Sequence, residues 1–441
     1  MAKQHLAFIR TFGCQMNERD TETIKGLLVQ EGYAFTEHPE QADLVLYNTC
    51  CVRENPERKV YGQVGQLREI KIQKPHMVIG ICGCMPQQKE ELPRMLKRLP
   101  HVDLFFGTQN IHRLPELLHR VSETGERVVE IWEEGCDPIE GLPAVRECSF
   151  KAWVTIMHGC DNFCSYCIVP YVRGRERSRH PQDILREVQD LAENGVKEIT
   201  LLGQNVNSYG RNLKLDTDFA DLLAQLNKVQ GIERIRFTTS HPKDISDKLI
   251  FSLARLEKVC EHLHLPVQAG SNNVLRRMNR GYTREYYLQL VDKIRSHVPD
   301  ISLTTDIMVG FPGETEADFA HTLSLVEQAR YDSAFTFIYS PRKGTPARTM
   351  SDQVPEEVKK ERIYQLIELQ NGISLENNKA LRGRELEVLV EGNSRNDEKL
   401  LTGKTTTAKT VIFPGRQELV GHLVNVRITE AQTWSLMGEL I

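Results

Sequence analysis

The beginning of the chain alternates short apolar runs with segments of helical periodicity. Four runs predict buried strands, namely His5–Thr11, Asp43–Asn48, His76–Ile81 and Val102–Phe106. Strands that alternate with helices are typical of α/β folds, in which the strands form a parallel sheet. The pattern therefore predicts an N-terminal domain over residues 1–121 that is built on an open parallel α/β sheet.

Cysteines stand at the ends of three of these predicted strands. Cys14 follows the first, Cys50 and Cys51 follow the second, and Cys82 and Cys84 close the third. In an open parallel sheet, ligands gather at the carboxyl ends of the strands. We therefore expect thiols from three strand ends to converge on one ligand.

A second series of apolar runs begins after a segment rich in glycine, proline and acidic residues, which predicts a linker over residues 122–145. The runs predict strands at Ala152–Met157, Glu198–Leu202, Arg234–Thr239, His262–Val267, Ser302–Val309 and Ala334–Tyr339. The helices between them are marked by Pro181 at one start and by Thr283 as an N-cap at another. Six strand–helix units predict a partial (β/α) barrel over residues 146–376.

The last part of the chain changes to another pattern. A long helix is predicted over Pro355–Leu381, and apolar and polar residues then alternate in Glu387–Val390 and Leu423–Ile428. Such alternation between turns is typical of half-buried strands and predicts a small, OB-like β-barrel over residues 379–441. The predicted fold is thus α/β, with an open parallel sheet domain, a partial (β/α) barrel and a small C-terminal β-barrel.

Composition narrows the kinds of partner and compartment. The 441 residues carry a net charge of −4, so no overall positive field attracts nucleic acid or an anionic membrane. No apolar run approaches the roughly 20 residues of a membrane crossing, and the N-terminal segment does not have the pattern of a signal peptide. We expect a cytoplasmic protein without a membrane partner. Eleven cysteines in a reducing compartment favour metal or redox ligands over disulfides.

Three more cysteines lie close together after the first predicted barrel strand. Cys160, Cys164 and Cys167 place three thiolates on one loop, which can hold three corners of an iron–sulfur cubane. No fourth cysteine is near in sequence, so one iron can stay open for a substrate or cofactor. The alternative is a zinc site completed by His158. Closed zinc sites usually use two short-spaced pairs of ligands, so the cubane is favoured.

This C-x3-C-x2-C spacing resembles the radical S-adenosylmethionine (SAM) superfamily, in which the three cysteines ligate a 4Fe-4S cluster and SAM binds its open iron. Further motifs are similar to those of the methylthiotransferases within that superfamily. They are Thr11–Asn17, Asn48–Cys50, Gly83–Met85, Tyr171–Arg175, Leu202–Ser208, Thr239–Pro242, Leu265–Gln268 and Gly310–Thr315. The resemblance covers nearly the whole chain, in the family's order of N-terminal domain, radical SAM core and TRAM module.

The resemblance implies two 4Fe-4S clusters. The three cysteines after the first barrel strand would hold the SAM-binding cluster, and Cys14, Cys50 and Cys84 an auxiliary cluster. Cys50 and Cys84 are chosen over Cys51 and Cys82 by their places in the motifs, and whether either neighbour substitutes as a ligand stays open. The neighbours are interpreted as buried small hydrophobic residues, as are Cys136, Cys148 and Cys260.

The run Gln15–Asn17 resembles the branch of the family that modifies tRNA rather than a ribosomal protein. It implies an enzyme that adds a methylthio group to C2 of N6-(dimethylallyl)adenosine at position 37 of tRNA. One SAM would be cleaved reductively and a second would supply the methyl group. The alternatives are a sibling enzyme that acts on threonylcarbamoyladenosine in tRNA or on a ribosomal protein aspartate, and a non-catalytic iron–sulfur protein that binds RNA.

Polar residues at or just beyond the barrel strands are candidates for binding SAM. Gln204, Ser240, Gln268 and Asp306 could contact its ribose, amino or carboxylate groups, although such residues as often cap the next helix. His262 and His264 alternate on one strand face, and a hydrogen-bonded interior pair is favoured over a metal site.

Basic residues give the candidates for binding tRNA. Arg173, Arg175, Arg177 and Arg179 alternate along the loop after the cysteine cluster. Phosphate binding is favoured over a merely solvated loop, because base readout needs the RNA backbone positioned first. In the C-terminal module, which by resemblance binds RNA, the corresponding candidates are Lys404 and Lys409. The implied partners are tRNA and an electron donor, and a monomer is expected.

Overall fold

The computed structural model describes residues 4–51, 54–133, 137–395 and 397–441, so Cys136 lies outside the described residues. The helices are α1 (Gln15–Gln30), α2 (Glu54–Gln73), α3 (Leu92–Arg98), α4 (Leu114–Thr124), α5 (Val169–Arg173), α6 (Pro181–Glu193), α7 (Phe219–Leu226), α8 (Asp247–Arg255), α9 (Asn272–Arg277), α10 (Arg284–His297), α11 (Glu316–Ala329) and α12 (Glu356–Lys379). The strands are β1 (His5–Thr11), β2 (Tyr33–Phe35), β3 (Leu44–Thr49), β4 (Val78–Gly83), β5 (Leu104–Phe106), β6 (Val128–Glu130), β7 (Lys151–Thr155), β8 (Met157–His158), β9 (Arg177–Ser178), β10 (Glu198–Leu202), β11 (Arg234–Phe237), β12 (His262–His264), β13 (Ser302–Val309), β14 (Ser333–Ile338), β15 (Glu385–Asn393), β16 (Leu400–Thr405), β17 (Thr410–Pro414), β18 (Leu423–Ala431) and β19 (Leu436–Leu440).

The N-terminal part is a parallel sheet with the strand order β2-β1-β3-β4-β5-β6. Every residue of β3 is buried, because helices cover both faces of a central parallel strand. The predicted α/β sheet is confirmed. The sheet continues beyond residue 121, since β6 pairs with β5 within the segment predicted as linker. With three residues, β6 is too short to show a period in the sequence.

The central part is an arc of parallel strands. β7, β10 and β11 form one sheet, and β12, β13 and β14 form another. A parallel bridge between Ile235 and Val259 connects the two. The strands thus follow one another in chain order around an incomplete barrel, which confirms the predicted partial (β/α) barrel.

Local sequence explains where the covering helices begin. α6 starts at Pro181 and buries Ile184 and Val188 on one face. α10 starts after Thr283, whose hydroxyl accepts a hydrogen bond from the backbone N–H of Tyr286, as expected for an N-cap. Among the described residues, none of the helices combines the length and apolar character that a bilayer crossing requires.

The C-terminal part is a closed barrel with the strand order β15-β16-β17-β19-β18, reached through the long helix α12. Its core is formed by Val388, Val411, Phe413 and Ile428, which are all buried. The predicted small β-barrel is confirmed.

The turn between β16 and β17 docks on the partial barrel. Arg234, at the start of β11, donates a hydrogen bond to the carbonyl oxygen of Lys404 at 2.7 Å, and Arg236 donates to that of Thr405 at 2.7 Å. Lys409 Nζ lies 2.6 Å from Asp332 Oδ1, just before β14. All these contacts are at the amino ends of the barrel strands. The carboxyl ends, where ligands bind in such folds, are on the opposite side from this turn.

Candidate metal centre

Cys160, Cys164 and Cys167, called here the barrel triad, lie on the loop after β8. The backbone N–H of Cys160 donates to Gly174 O at 3.1 Å, and that of Cys167 donates to Cys164 O at 2.9 Å. Gly159 permits this close fold, because a Cβ there would lie 1.9 Å from the carbonyl oxygen of the residue after Gly174. The loop therefore holds the three thiols near one another.

The thiols of the barrel triad are chemically suited to a shared cationic ligand. Burial raises the pKa of Cys160 to about 11 and that of Cys167 to about 12, and the neighbouring Cys164 adds to both shifts. The buried Arg280 donates from Nη1 to Cys164 Sγ at 3.4 Å. Thiolates this close repel one another unless a metal compensates their charge. The donor set fits an iron–sulfur cluster held by three cysteines.

The second group, Cys14, Cys50 and Cys84, is called here the sheet triad. Its members follow β1, β3 and β4, which are neighbours in the sheet. A Cβ on Gly13 would lie 3.2 Å from Cys50 Sγ, so the Cys14 loop lies directly against Cys50. The backbone N–H of Cys84 donates to Thr49 O at 2.7 Å. This hydrogen bond joins the Cys84 loop to the Cys50 loop. The three strand ends predicted to converge do so in the structure.

Buried amides tie the loops of the sheet triad together. Asn17 Nδ2 donates to Asn48 Oδ1 at 3.1 Å and to Thr49 O at 3.0 Å, while Asn48 Nδ2 donates to Asn17 O at 2.8 Å. Cys14 Sγ lies 3.6 Å from Asn17 Oδ1. A satisfied buried network of this kind fixes the positions of the groups it joins. The asparagines of the motifs therefore order the cysteine loops.

The two neighbouring cysteines differ in their surroundings. Cys82 is part of β4 and is fully buried in the sheet core, where burial raises the pKa of its thiol well above the usual value. This agrees with its interpretation as a small core residue. Cys51 is also buried, but its side chain contacts Cys84, and that hydrogen bond lowers the pKa of Cys84. The choice between Cys50 and Cys51 as a ligand therefore stays a prediction.

The two triads are joined through α5, which follows the barrel triad. Ile168 and Val172 pack in the same apolar cluster as Cys51 and Cys84. Arg173, at the end of α5, reaches across to the sheet side, as described further below. The structure therefore places the loops of both triads on either side of one short helix.

Among the described residues, no three His, Cys, Asp or Glu side chains converge closely enough to hold a single metal ion. A single zinc ion needs all its ligands at about 2.0–2.3 Å. In a cubane, by contrast, each cysteine binds a different iron atom, so the sulfurs stand farther apart. His158 lies on β8, where burial lowers its pKa to about 3.

The predicted SAM contacts lie at neighbouring points of the barrel rim. Gln204 accepts a hydrogen bond from the backbone N–H of Gly159, so it supports the cysteine loop. Gln268 is buried and its backbone N–H donates to Asp306 O at 2.8 Å. The hydroxyl of Ser240 is buried without a hydrogen-bond partner among the described residues. None of the four caps a helix through its side chain in the described structure.

Further unpaired polar atoms lie on the loop of Ser240 and on the loop after β10, and none of their residues was predicted as a SAM contact. Within the described part of the chain, the side-chain oxygen and nitrogen of Asn207, Oδ1 of Asn205 and Nε2 of His241 are buried without partners. The backbone N–H of Val206 donates to Thr239 O, which joins the two loops that carry these groups. Buried polar groups are normally hydrogen-bonded, so this cluster fits the binding of a polar ligand. The sequence signal for these residues was their place in the motifs Leu202–Ser208 and Thr239–Pro242, each after a strand.

His262 and His264 form an interior pair, as predicted. His262 Nε2 lies 3.1 Å and His264 Nδ1 lies 3.0 Å from the hydroxyl of Thr304. His264 Nε2 also lies 3.6 Å from Asp306 Oδ1.

The four arginines predicted to bind RNA have different surroundings in the structure. Arg173 is buried against Asp20, whereas Arg179 is partly buried and forms ion pairs with Glu140 and Glu187 on the linker side of the barrel. Arg177 donates to a glutamine of the N-terminal domain. Arg175 alone among the four is largely exposed, and its Nε lies 2.8 Å from Asp161 Oδ1. The alternating basic loop is therefore mostly an internal contact, because the N-terminal domain and the linker cover it.

Lys404 and Lys409 are also engaged within the protein. Lys404 Nζ donates to the hydroxyl of Thr410 at 2.6 Å, and Lys409 Nζ donates to Asn378 Oδ1 at 2.9 Å in addition to its ion pair with Asp332. The turn that carries them faces the amino ends of the barrel strands. The sequence could not reveal this, because the alternating pattern of a strand does not say what covers its end.

Comparison with known families assigns the parts of the chain. Residues 154–326 match the radical SAM superfamily, residues 6–107 match the uncharacterized protein family UPF0004, and residues 379–441 match the TRAM domain. Among solved structures, the radical SAM methyltransferase TsrM from Kitasatospora setae is similar with a TM-score of 0.59 and 14% identity, over 78% of this chain and 75% of that chain. OxsB, a cobalamin-dependent SAM radical enzyme, is similar with a TM-score of 0.54 and 14% identity, over 83% of this chain and 56% of that chain. At these identities the similarity concerns the fold.

Full-length relatives are much closer in sequence. A tRNA-2-methylthio-N(6)-dimethylallyladenosine synthase of Carboxydothermus hydrogenoformans is 56% identical over 434 residues, which are 98% of this chain and 99% of that protein. The synthase of the same name from Acetivibrio thermocellus is 56% identical over 439 residues, which are 100% of this chain and 92% of that protein. With this identity over its full length, and with the cysteine loops in place, the chain belongs to the family of tRNA-2-methylthio-N(6)-dimethylallyladenosine synthases within the radical SAM superfamily.

Proposed function

We propose that this protein is a radical SAM methylthiotransferase that adds a methylthio group to C2 of N6-(dimethylallyl)adenosine at position 37 of tRNA. One observation supports this most directly. A chain 56% identical to named synthases over nearly its full length also brings the strand-end cysteines of its N-terminal sheet together. The fold alone would not distinguish this reaction from the many others that radical SAM barrels host.

The barrel triad would hold the cluster that binds SAM. When bound, that cluster supplies the one-electron reduction of SAM that starts radical chemistry, which an unreactive aromatic C–H requires. The residues of the chain keep the three thiols on one tight loop, and Arg280 places its positive charge beside Cys164. A buried cation there offsets part of the negative charge of the thiolates.

The sheet triad would hold a second cluster, which serves the sulfur chemistry. Cys14, Cys50 and Cys84 come from three adjacent strand ends, and the amides of Asn17 and Asn48 fix their loops. The protein's own task is to keep this second site close to the first, so that the methylthio group and the activated base meet in one cavity.

SAM would lie on the polar rim of the barrel. Ser240 and Asn207 offer buried hydrogen-bonding atoms without partners in the described structure, and Gln268 and Asp306 stand on the neighbouring strands. Gln204 supports the cysteine loop through Gly159. These five residues form the proposed SAM site, in which the unpaired groups of the rim find partners on the cofactor.

tRNA would approach at the same side of the barrel. Of the predicted basic residues, Arg175 remains on the surface beside the barrel triad, and it is the one proposed here to contact phosphate. Arg177, Arg173 and Arg179 act instead within the protein, and Lys404 and Lys409 fix the TRAM barrel. An external electron donor is required for the reduction, and a monomer is proposed.

Mass spectrometry of tRNA nucleosides tests the proposed function. A strain without the gene should accumulate N6-(dimethylallyl)adenosine, and the wild-type chain should restore the methylthiolated nucleoside. Cys14→Ala and Cys164→Ala should each fail to restore it, whereas Cys260→Ala, a buried cysteine outside both triads, should succeed. Restoration of methylthiolated threonylcarbamoyladenosine instead would support a sibling enzyme. Purified protein that releases no 5′-deoxyadenosine from SAM with dithionite would support a non-catalytic RNA-binding protein.

A further inference from the structure

Arg173 is a buried arginine that lies between the two cysteine triads. Its side chain is 5% exposed, and the residue ends the short helix that follows the barrel triad. Nη2 donates to Asp20 Oδ2 at 2.7 Å and to Asn17 Oδ1 at 3.1 Å, both on the first helix of the N-terminal domain. One guanidinium group therefore connects the barrel loop to the loops of the sheet triad.

The same guanidinium acts on the thiols of the sheet triad. Asn17 Oδ1, which accepts the hydrogen bond from Arg173 Nη2 at 3.1 Å, lies 3.6 Å from Cys14 Sγ, so one amide oxygen joins the guanidinium to the first thiol of the triad. Arg173 Nη2 also lies 2.7 Å from Asp20 Oδ2, and an arginine side chain keeps its charge even where it is buried. The positive charge is thus held permanently among the groups that would carry the second cluster.

The backbone of this helix is fixed to the N-terminal domain as well. Thr108 Oγ1 donates to Val172 O at 2.7 Å, and Gln109 Nε2 donates to Arg173 O at 2.9 Å. On its other side, the carbonyl oxygen of Gly174 accepts the backbone N–H of Cys160. Arg173 consequently has no freedom to leave the triad without moving the first cysteine of the barrel loop.

We propose that Arg173 is a positioning residue shared by both triads, and that its buried charge raises the reduction potential of the cluster held by the sheet triad. The inference rests on the proposed function, because it requires that second cluster. The potential of an iron–sulfur cluster depends on nearby charge, on hydrogen bonds to sulfur and on solvent exposure. A cation at a poorly solvated site stabilises the reduced cluster, which carries one more negative charge.

The ion pair offers two substitutions with opposite expected effects. Arg173→Gln removes the cation and should make the second cluster harder to reduce, whereas Arg173→Lys should restore most of the wild-type potential. Asp20→Asn keeps the size of the side chain and removes the opposing anion, so the cluster should become easier to reduce. Arg175→Gln removes the same charge two residues away at an exposed site and should leave the potential unchanged.

The measurement is a dithionite titration of full-length protein, reconstituted anaerobically and followed by electron paramagnetic resonance. A background with Cys160, Cys164 and Cys167 replaced by alanine isolates the cluster of the sheet triad. For Arg173→Gln we expect the reduced-to-oxidised ratio at a fixed potential to fall about tenfold, which is about 59 mV for a one-electron couple. For Asp20→Asn we expect a shift in the opposite direction.

Iron content and circular dichroism show whether each variant is folded and loaded. If Arg173→Gln loses iron, the Asp20→Asn titration decides alone. Unchanged potentials in loaded Arg173→Gln and Asp20→Asn, or shifts of the same sign, would overturn the inference. Absence of a second cluster from the wild-type protein would instead contradict the proposed function, before any variant is compared.

Discussion

Single buried residues determine much of this structure, and the Gly310–Thr315 motif gives an example. Glu314 accepts hydrogen bonds from the backbone N–H of Gly310 at 2.7 Å and from Arg362 Nη1 at 2.9 Å. The carboxyl group is fully buried, so the pair ties α12 to the loop after β13. This motif residue therefore stabilises the barrel and does not face the cysteine loops through these contacts.

Removal of Arg362 from its pair with Glu314 should strongly destabilise the fold. Arg362→Ala leaves Glu314 buried without its cation, and we expect the free energy of unfolding to fall by about 3–5 kcal/mol. Arg384→Ala is the matched control, because its pair with Asp300 is exposed and should contribute less than about 1 kcal/mol. Urea unfolding of both variants measures the difference. Equal losses would contradict the structural role of the buried pair.

Substitution of Ser240 should weaken the binding of SAM without lowering the stability of the fold. Its buried hydroxyl has no partner among the described residues, so Ser240→Ala loses no internal hydrogen bond and should leave unfolding unchanged. Binding of SAM to the reconstituted protein should weaken about tenfold, as expected for one lost hydrogen bond. Ser271→Ala is the control, since Ser271 caps α9 and its loss should cost about 1 kcal/mol of stability without affecting SAM. Unaltered SAM affinity in Ser240→Ala would remove Ser240 from the proposed site.

The residues that sequence could identify are those whose chemistry depends on spacing. Short spacing predicted the barrel triad as a cluster site, and strand-end positions predicted that thiols converge in the N-terminal sheet. The resemblance to the methylthiotransferases chose Cys14, Cys50 and Cys84, and the ligand roles of both triads stay predictions. Arg173 was predicted to bind phosphate, but the structure buries it against Asp20. Arg280 was missed. Whether an arginine meets solvent or a carboxylate depends on which distant element covers it, and one sequence does not contain that information.

At the scale of elements, the loops after the strands are more constrained than the strands themselves. Gly159 has a φ of +78°, and a Cβ there would collide with the carbonyl oxygen of Arg175. Gly13 has a φ of +135°, and its Cβ would lie 2.6 Å from Cys50 Cβ. The loop of the barrel triad and the loop of Cys14 therefore each depend on one glycine for their close approach.

A substitution at the first of these positions should open its loop. Gly159→Ala should lower the iron content of reconstituted protein by about half, because the barrel triad can no longer hold its thiols together. Gly125→Ala also has a positive φ, +65°, but nothing lies near its added Cβ. It should cost only about 1–2 kcal/mol of stability and leave the iron content normal. Full iron content in Gly159→Ala would contradict the proposed role of the loop.

The regular elements were largely predictable, and the short ones were not. β1, β10 and β13 have the predicted bounds, because buried parallel strands are continuous apolar runs. β2, β6 and β19 were not predicted. They are short or lie at sheet edges, where packing against neighbours rather than a sequence period decides the conformation.

At the scale of the molecule, the C-terminal barrel is attached by buried charge. Arg236 pairs with Glu198 at 2.9 Å, and Lys151 pairs with both Glu198 and Glu391. These groups come from the amino ends of β7, β10 and β11 and from β15. The network links the TRAM barrel to the partial barrel, so the two should unfold as one unit.

Loss of Arg234 and Arg236 should detach the TRAM barrel from the partial barrel. Arg234→Ala combined with Arg236→Ala removes hydrogen bonds to Lys404 and Thr405 and leaves Glu198 with Lys151 but without Arg236. We expect limited proteolysis to cut between α12 and β15, and calorimetry to show two transitions instead of one. Arg427→Ala, which breaks an exposed pair within the C-terminal barrel, should leave both patterns unchanged. A single transition in the double variant would contradict this attachment.

The sequence did not predict how the N-terminal sheet, the partial barrel and the C-terminal barrel pack against one another. Local periodicity predicted a sheet, a partial barrel and a small β-barrel in the correct order, but it did not indicate that the turn near Lys404 covers the amino ends of the barrel. It also could not show that α5 packs on the sheet core. Contacts between parts depend on complementary surfaces that are distant along the chain.

The account depends most on two separate triads, each holding its own cluster, and iron analysis tests this directly. Anaerobically reconstituted wild-type protein should contain about eight irons per chain. Alanine at Cys14, Cys50 and Cys84 should leave about four, and alanine at Cys160, Cys164 and Cys167 should also leave about four, with distinct electron paramagnetic resonance spectra for the two variants. About four irons in the wild-type protein, or complete loss of iron in either variant, would contradict the presence of two independent cluster sites.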